Sequence, residues 1–429
     1  MSFTNPIRAA CLCLLVVLSG CAGLNSEDSS GAEVTTRTVD LTKPPIDVWE
    51  RMRRGFAVPN LNTELAQKWT TYYASHPEYI QRMADRSGPY LYYIVEEINR
   101  RGLPTELALL PFVESAYNPN AYSRARAAGL WQFIPSTGKA FKLEQSWWLD
   151  QRRDPIASTN AALDYLQYLF EYQGEWFLAF ASYNWGEGSV KRALAKNERA
   201  GKPLDYRHLK MPRETANYVP KIQAIKNIIA DPERYGVIMP IVDNEPYFVT
   251  LKKDRDIDLA VAAKLAEMSI EEFSALNPAF NQGVILAQLD PVIILPQDKV
   301  PVYLANLATY EGELTSWRKY DGQKGESLAT IAKQFNVSVD ALQRANDLSR
   351  RTRTLSQNQV LLIPGPTATV TPATAAVAKR LSTKTYRVRS GDTLSGIARK
   401  FNTSTRALKQ LNGMKGSKLR AGQRLKVPG

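Results

Sequence analysis

Histidine and cysteine are nearly missing from this 429-residue chain. The two histidines, His76 and His208, are far apart, and no group of His, Cys, Asp and Glu has the spacing of metal ligands, so metal catalysis lacks its parts. A phosphate-cradling glycine loop is missing too, and no cofactor is expected. All three cysteines, Cys11, Cys13 and Cys21, fall at the N-terminal end. Near that end the apolar run from Ala9 to Leu18 is too brief to cross a bilayer. Acid is scarce at the other end, where residues 384–429 hold 12 Lys or Arg against a single Asp, Asp392, within a formal net charge of +13 for the chain. Such a basic balance suits an anionic polymer. Nucleic acid is not expected as that polymer, because neither aromatic-basic interleaving nor zinc spacing accompanies the charge.

Residues 1–20 read as a secretory signal, with Arg8 as its positive region and Ala9 to Leu18 as its apolar core. Leu18-Ser19-Gly20-Cys21 resembles a bacterial lipobox, in which the chain is cut before Cys21 and that thiol is acylated. A plain signal cut nearby is the alternative. Ala22, with no Asp at that position, resembles the pattern that sends lipoproteins on to the outer membrane. The expectation is an outer-membrane lipoprotein of a Gram-negative bacterium, facing the periplasm, with the membrane as a partner through lipidated Cys21. Cys11 and Cys13 would leave with the signal, so no disulfide is expected despite the oxidising compartment. Residues 21–45, rich in Ser, Thr, Gly and acid, read as a flexible tether.

Apolar residues then recur at helical spacing between Asp47 and Asn99, from Trp49 and Met52 to Val95 and Ile98, and predict three helices. This extension, 46–100, is assigned to packing against a helical lobe at 101–235. Pro104 should stand near the start of the following helix, with Pro111 kinking it inside. Asp154-Pro155 is an N-cap and first-turn pair. Further helices are expected over Glu175 to Tyr183, closed by Gly186 and Gly188, and over Arg213 to Ala230.

Glu114 closes an apolar run formed by Leu107, Leu109, Leu110, Phe112 and Val113. Burial penalises a carboxylate and raises its pKa, which keeps an acid protonated near neutral pH. Fifteen residues on comes Gly129-Leu130-Trp131-Gln132-Phe133, where glycine permits close backbone approach and glutamine offers both donor and acceptor. Ser182-Tyr183-Asn184-Trp185-Gly186-Glu187-Gly188 and Glu214-Thr215-Ala216-Asn217-Tyr218-Val219 follow.

Four motifs in this order, ES, GLWQ, SYNxGxG and ETxxYV, resemble the lysozyme-like lytic transglycosylases that cut bacterial peptidoglycan, in the style of the membrane-bound D type. The resemblance implies an all-helical catalytic lobe. It also implies that Glu114 protonates the glycosidic oxygen between N-acetylmuramic acid and N-acetylglucosamine. The resulting carboxylate would then accept the proton of the muramoyl C6 hydroxyl, which attacks its own C1 and yields a 1,6-anhydro sugar. By the same resemblance Ser115 and Gln132 would hydrogen-bond the acid or the sugars, Tyr183 and Asn184 would line the cleft and hold the N-acetyl group, and Tyr218 would lie close to Glu114. Glu214 would be a buried partner fixing that corner. Ser115, Gln132 and Glu214 also have a reading as satisfied structural groups. Trp131 and Ser182 depart from the residues usual in the family, Met or Ile and Ala, with subsite shape as the expected consequence.

Beyond Pro240 an internal repeat begins. The last copy, 385–428, resembles a LysM module, a βααβ unit that binds glycans containing N-acetylglucosamine. A second copy at 317–364 lines up at an offset of 66, Gly325 with Gly391 and Asn346 with Asn412. A worn copy at 245–300 lines up at a further 69, Asn277 with Asn346, and carries Asp256 at the turn where the others have glycine. That copy is read as degraded for glycan binding, with an unrelated α+β domain as the alternative. A Thr/Ala/Pro-rich spacer, 365–384, separates the last two copies. The fold class expected is therefore α+β and multidomain, a helical lysozyme-like lobe followed by small βααβ modules, with peptidoglycan glycan strands as partner of both. Two other functions stay open: a water-using muramidase with Glu187 as second carboxylate, and a catalytically silent wall-binding lipoprotein.

Overall fold

The computed structural model describes residues 44–365, apart from 46, and parts of 383–428. The signal, Cys21, nearly all of the tether and nearly all of the spacer lie outside the described residues.

Three helices form where the apolar stripes predict them, α1 (Val48–Arg54), α2 (Glu64–Ala74) and α3 (Pro77–Arg100). Asp47 caps α1 by accepting from Glu50 N, and Thr63 caps α2 by accepting from Ala66 N. The buried stripe of α3 runs from Ile80 and Met83 through Leu91 and Ile94 to Ile98. The next stretch departs from expectation. Thr105–Leu109 is a 3-10 helix, and Pro111 sits in the first turn of a separate short helix, α4 (Leu110–Glu114), where a missing N–H costs nothing. Glu114 is the last residue of that helix rather than a residue beyond a kink.

After α5 (Pro135–Ala140) comes α6 (Pro155–Gln173), whose Asp154 cap accepts from Ile156 N at 2.8 Å and Ala157 N at 2.9 Å. Then follow α7 (Trp176–Trp185), α8 (Glu187–Arg199) and α9 (Arg213–Ala230). Gly186 closes α7 with a φ of 86°, but Gly188, expected to close it too, stands in the first turn of α8.

Residues 47–100 and the helices after them share one apolar core. Its seam with α9 also carries a buried ion pair and hydrogen bonds. Glu106, 1% exposed, accepts from Ala57 N at 3.0 Å and Val58 N at 2.9 Å and lies 2.9 Å from Lys226 Nζ, which also donates to Val58 O at 2.6 Å. Trp69 Nε1 of α2 donates to Asn217 Oδ1 of α9 at 2.8 Å.

The first module is built from β1 (Phe248–Lys252), β2 (Ile257–Asp258), α10 (Leu259–Leu265), α11 (Ile270–Leu276), β3 (Val284–Ile285) and β4 (Val292–Pro296), with β1 antiparallel to β4 from Phe248 opposite Pro296 to Lys252 opposite Val292. A further helix, α12 (Val300–Ala308), was not expected and adds Tyr303 to the module core. The second module is β5 (Arg318–Gly322), α13 (Leu328–Gln334), α14 (Val339–Ala345) and β6 (Gln359–Ile363), and the third holds β7 (Thr383–Arg387), α15 (Leu394–Lys400) and β8 (Arg424–Pro428).

One side chain explains the repeat offsets. Asn277, Asn346 and Asn412 each clamp the closing strand twice, donating from Nδ2 to the carbonyls of Ile294, Leu362 and Lys426 at 2.8, 2.9 and 2.8 Å. Their Oδ1 atoms accept from the N–H groups of those same residues at 2.7, 2.7 and 2.6 Å. An asparagine alone offers donor and acceptor on one short stem to mimic a strand neighbour. At the turn, Gly325 takes a φ of 86°, whereas Asp256 has no left-handed backbone and spends its carboxylate on Ala287 N at 2.8 Å.

The first module is fastened to the helical lobe by Asp150 N donating to Ala279 O at 2.9 Å, Asn281 N to Trp148 O at 2.9 Å and Gln282 Nε2 to Trp147 O at 2.8 Å. Trp148 meets Trp317 edge to face at 4.8 Å, which brings the start of the second module into the same cluster.

Candidate active site

The floor of the site is set by a steric requirement. Gly129 has a φ of 82°, and a Cβ there would stand 2.0 Å from the carbonyl oxygen of Arg152. Only glycine allows that approach. Arg152 is itself buried and paired with Asp150 at 2.7 Å, and its Nη1 donates to the carbonyls of Arg126 at 2.6 Å and Phe133 at 3.1 Å, so both arms of the GLWQ loop are held to one guanidinium. Ser115 Oγ donates to Leu130 O at 2.9 Å and Pro111 O at 3.2 Å, which ties the end of α4 to that loop.

Above this floor opens a cleft of about 790 Å³ whose lining includes Glu114, Gln132, Tyr183, Asn184, Glu187, Glu214, Tyr218 and Lys221. Glu114 is half-buried. Burial among the apolar residues of α4 raises its carboxyl from the usual 4.5 to about 7, helped by the charge of Glu214 and opposed by a hydrogen bond from Tyr218 and by the cation of Lys221. Tyr218, 4% exposed, donates to Glu114 Oε1 at 2.6 Å. Burial holds the hydroxyls of Tyr218 and Tyr183 far above their ordinary pKa, and the Glu114 charge adds to this, so both remain O–H donors. Positions 214, 218 and 221 fall on one face of α9 because they are four and three residues apart.

Tyr183 and Asn184 reach the cleft from the last turn of α7. Tyr183 Oη donates to Trp131 O at 2.8 Å, and Asn184 Oδ1 accepts from Thr215 Oγ1 at 2.9 Å, leaving Nδ2 of Asn184 without a hydrogen-bond partner among the described residues. An amide N–H₂ held by its own oxygen is suited to a carbonyl of a ligand.

Two expectations change, and a third, for Ser115 and Gln132, loses the acid and keeps the sugars as its alternative. Neither Ser115 nor Gln132 bonds Glu114. Ser115 is used up on backbone carbonyls, and Gln132, with a φ of 50°, donates to Gly129 O at 2.9 Å and Ala121 O at 3.3 Å while lining the cleft. Glu214 is not a buried partner: it is exposed in the first turn of α9, where the helix dipole favours an acid, and it acts on Glu114 through charge. Its neighbour Thr215 is the buried residue that fixes the corner. Trp131 is wholly buried, donating to Thr159 Oγ1 at 2.9 Å, and Ser182 is likewise buried, accepting from Gln173 at 2.8 Å. These two unusual residues therefore face the core rather than the cleft.

Two residues escaped the sequence reading. Lys221 lies three positions beyond Tyr218, and the helical period alone was enough to find it. Tyr165 donates to Glu187 Oε2 at 3.1 Å across the cleft wall, a pairing 22 residues apart that no local spacing announces. The carboxylate whose charge registers at Glu114 is Glu214 and not Glu187.

Comparison with known proteins adds independent findings. Residues 92–205 match the Transglycosylase SLT domain, residues 247–312 the LysM-like domain of lytic transglycosylase MltD, and residues 323–364 and 386–428 the LysM domain. The chain is 41% identical over 170 residues to a putative tributyltin chloride resistance protein of Alteromonas sp. (strain M-1), covering 39% of this chain and 80% of that one. The solved structure of the 70 kDa soluble lytic transglycosylase SLT70 of Escherichia coli is 20% identical, with 38% of this chain and 30% of that one covered at a TM-score of 0.28, too slight a likeness to carry weight. The membrane-bound lytic murein transglycosylase D of Escherichia coli (strain K12) is 32% identical over 389 residues, which take in 86% of this chain and 83% of that relative. A likeness of that extent runs through the helical lobe and the modules alike, and the chain belongs to the membrane-bound lytic murein transglycosylase D family.

Proposed function

We propose that this chain is a peptidoglycan lytic transglycosylase in which Glu114 serves first as acid and then as base on the bond between N-acetylmuramic acid and N-acetylglucosamine. The observation that carries the reading is the raised Glu114 carboxyl, at about 7, facing a cleft wide enough for a sugar strand. A carboxyl at that value is substantially protonated at neutral pH, so it can give its proton to the glycosidic oxygen as the C1–O bond breaks. The carboxylate that results accepts the Tyr218 hydrogen bond at 2.6 Å and the attraction of Lys221. It then takes the proton of the muramoyl C6 hydroxyl as that oxygen bonds to C1, closing a 1,6-anhydro ring and restoring the acid. No water is consumed, and the nucleophile arrives already attached to the reacting sugar.

Asn184 Nδ2 is suited to the N-acetyl carbonyl, and Tyr183 and Gln132 to sugar hydroxyls. The modules would hold N-acetylglucosamine-containing strands near the cleft, with the Asp256-bearing first module serving as a mount. Lipidation at Cys21 and a position at the periplasmic face of the outer membrane complete the proposal, supported by the lipobox and by a relative described as membrane-bound. Among the described residues no helix is long and apolar enough to cross a membrane.

The test is mass spectrometry of muropeptides released from purified sacculi by the chain from residue 22 onward, beside Glu114→Gln. Anhydro ends from the parent and none from the variant are expected. Reducing ends would instead mean hydrolysis with Glu187 as second carboxylate, and retention on sacculi without release would mean a binding protein.

A further inference from the structure

Helix α6 carries three tyrosines, 165, 168 and 172, spaced three and four residues apart and therefore on one face. Their rings form a ladder. The centroids of Tyr165 and Tyr168 are 6.5 Å apart with planes 15° from parallel, and those of Tyr168 and Tyr172 are 6.0 Å apart with planes 22° from parallel. The ladder starts inside the cleft, where Tyr165 and Tyr168 belong to the lining, and runs out of it along the helix. Tyr168 is 44% exposed and Tyr172 43%, and neither hydroxyl has a hydrogen-bond partner among the described residues. Helix α8 runs beside it: Glu187 meets Tyr165 at the inner end, and one turn on the ammonium of Lys191 lies 5.7 Å from the centroid of Tyr172 at the outer end.

Tyr165 is explained by its bond to Glu187. The outer two rings do not contribute to the core, and exposed aromatic rings in a row continuous with a cleft mark a ligand surface. Near-parallel faces offer an electron-rich platform to the C–H faces of sugar rings. The cation beyond them suits an anionic group carried by the same strand.

We propose that Tyr168, Tyr172 and Lys191 form an outer subsite that takes the next sugar of a peptidoglycan strand as it leaves the cleft, with Lys191 facing a carboxylate of the attached peptide. This rests on the transglycosylase reading and deepens it by making the enzyme sensitive to strand length and to peptide charge at a defined place.

The experiment uses the whole chain and glycan strands fractionated by length, with anhydro ends counted as product. For Tyr172→Ala, whose ring stands outside the cleft lining, KM on long strands is expected to rise about three- to tenfold while kcat, and KM on strands too short to leave the cleft, stay at parent values. Tyr172→Phe keeps the ring face and should keep the parent KM. Lys191→Ala should raise KM only for strands that carry peptides and leave peptide-free strands unaffected. A Tyr172→Ala variant with the parent's KM on long strands, or with equal losses on short and long strands, overturns the subsite. Anhydro ends from the parent keep the functional reading standing however the variants behave, whereas a parent that releases none would sink both.

Discussion

Glu114→Gln should inactivate the enzyme and, at alkaline pH, make it more stable. In the folded chain the carboxyl titrates at about 7 rather than 4.5, because burial disfavours its charged form. Between those two values the native state binds more protons than the unfolded state, so this group's contribution to stability is fully present below pH 4.5 and declines as pH rises through 7. At 1.36 kcal/mol per pH unit the loss is roughly 3 kcal/mol, and the open side of the cleft reduces it to about 2–3 kcal/mol. Glutamine fills the same volume, still accepts from Tyr218 and carries no charge to desolvate. At pH 8 the variant should be more stable by that amount, which for a lobe of this size corresponds to a melting temperature about 4–12 °C higher. At pH 5 only the unfolded parent has begun to ionise, and the gain should shrink to under about 1 kcal/mol. Calorimetry of parent and variant at the two pH values decides the matter. An equal gain at both, or a loss at pH 8, would refute burial as the origin of the raised carboxyl.

Three further outcomes follow from geometry. Tyr218→Phe removes a hydrogen bond of 2.6 Å that favours the carboxylate, so the alkaline limb of the pH-rate profile should move up by about one to two pH units while the rate falls. Glu106→Ala leaves Lys226 and two backbone N–H groups without their buried acceptor and should cost about 3–5 kcal/mol in denaturant unfolding, with no change in the pH profile of the remaining activity. Gly129→Ala drives a methyl into the Arg152 carbonyl at a left-handed position, and should lower the melting temperature and the turnover rate together, because the loop that would move also carries Gln132.

Local signals were legible to the extent that one interaction dominated them. The stripes of α1 to α3, the Asp154-Pro155 cap and the span of α9 each rest on a short-range rule, and each appears as read. Pro111 misled because a proline before an acidic helix end fits both an internal kink and a fresh first turn, and only the 3-10 packing of Thr105 to Leu109 selects the second. Glycine 188 misled for a related reason: Gly186 alone supplies the left-handed turn, which frees its neighbour to start α8. Within the cleft, the apolar run before Glu114 pointed to its raised carboxyl, and the helical period put Tyr218 beside Glu214. Exposure of Glu214 was not legible, since a first-turn acid faces water or protein according to what packs on that face. The roles of Ser115 and Gln132 were equally hidden, because a side chain that bonds a backbone carbonyl leaves no mark in sequence. The Asn clamp was visible as a repeat and invisible as a mechanism until the strands it bridges were in view.

The tryptophan junction of Trp147, Trp148 and Trp317 has a consequence for how the enzyme measures its substrate. Edge-to-face rings and backbone hydrogen bonds fix the first module to the lobe and the second module to that same junction. In this structure the junction sets the distance between the cleft and the second module, as the hinge of a pair of callipers sets their opening. On the function proposed above, a strand held by that module would reach Glu114 at an offset set by this junction, and part of the entropy of bringing the two together would be spent during folding instead of at each encounter.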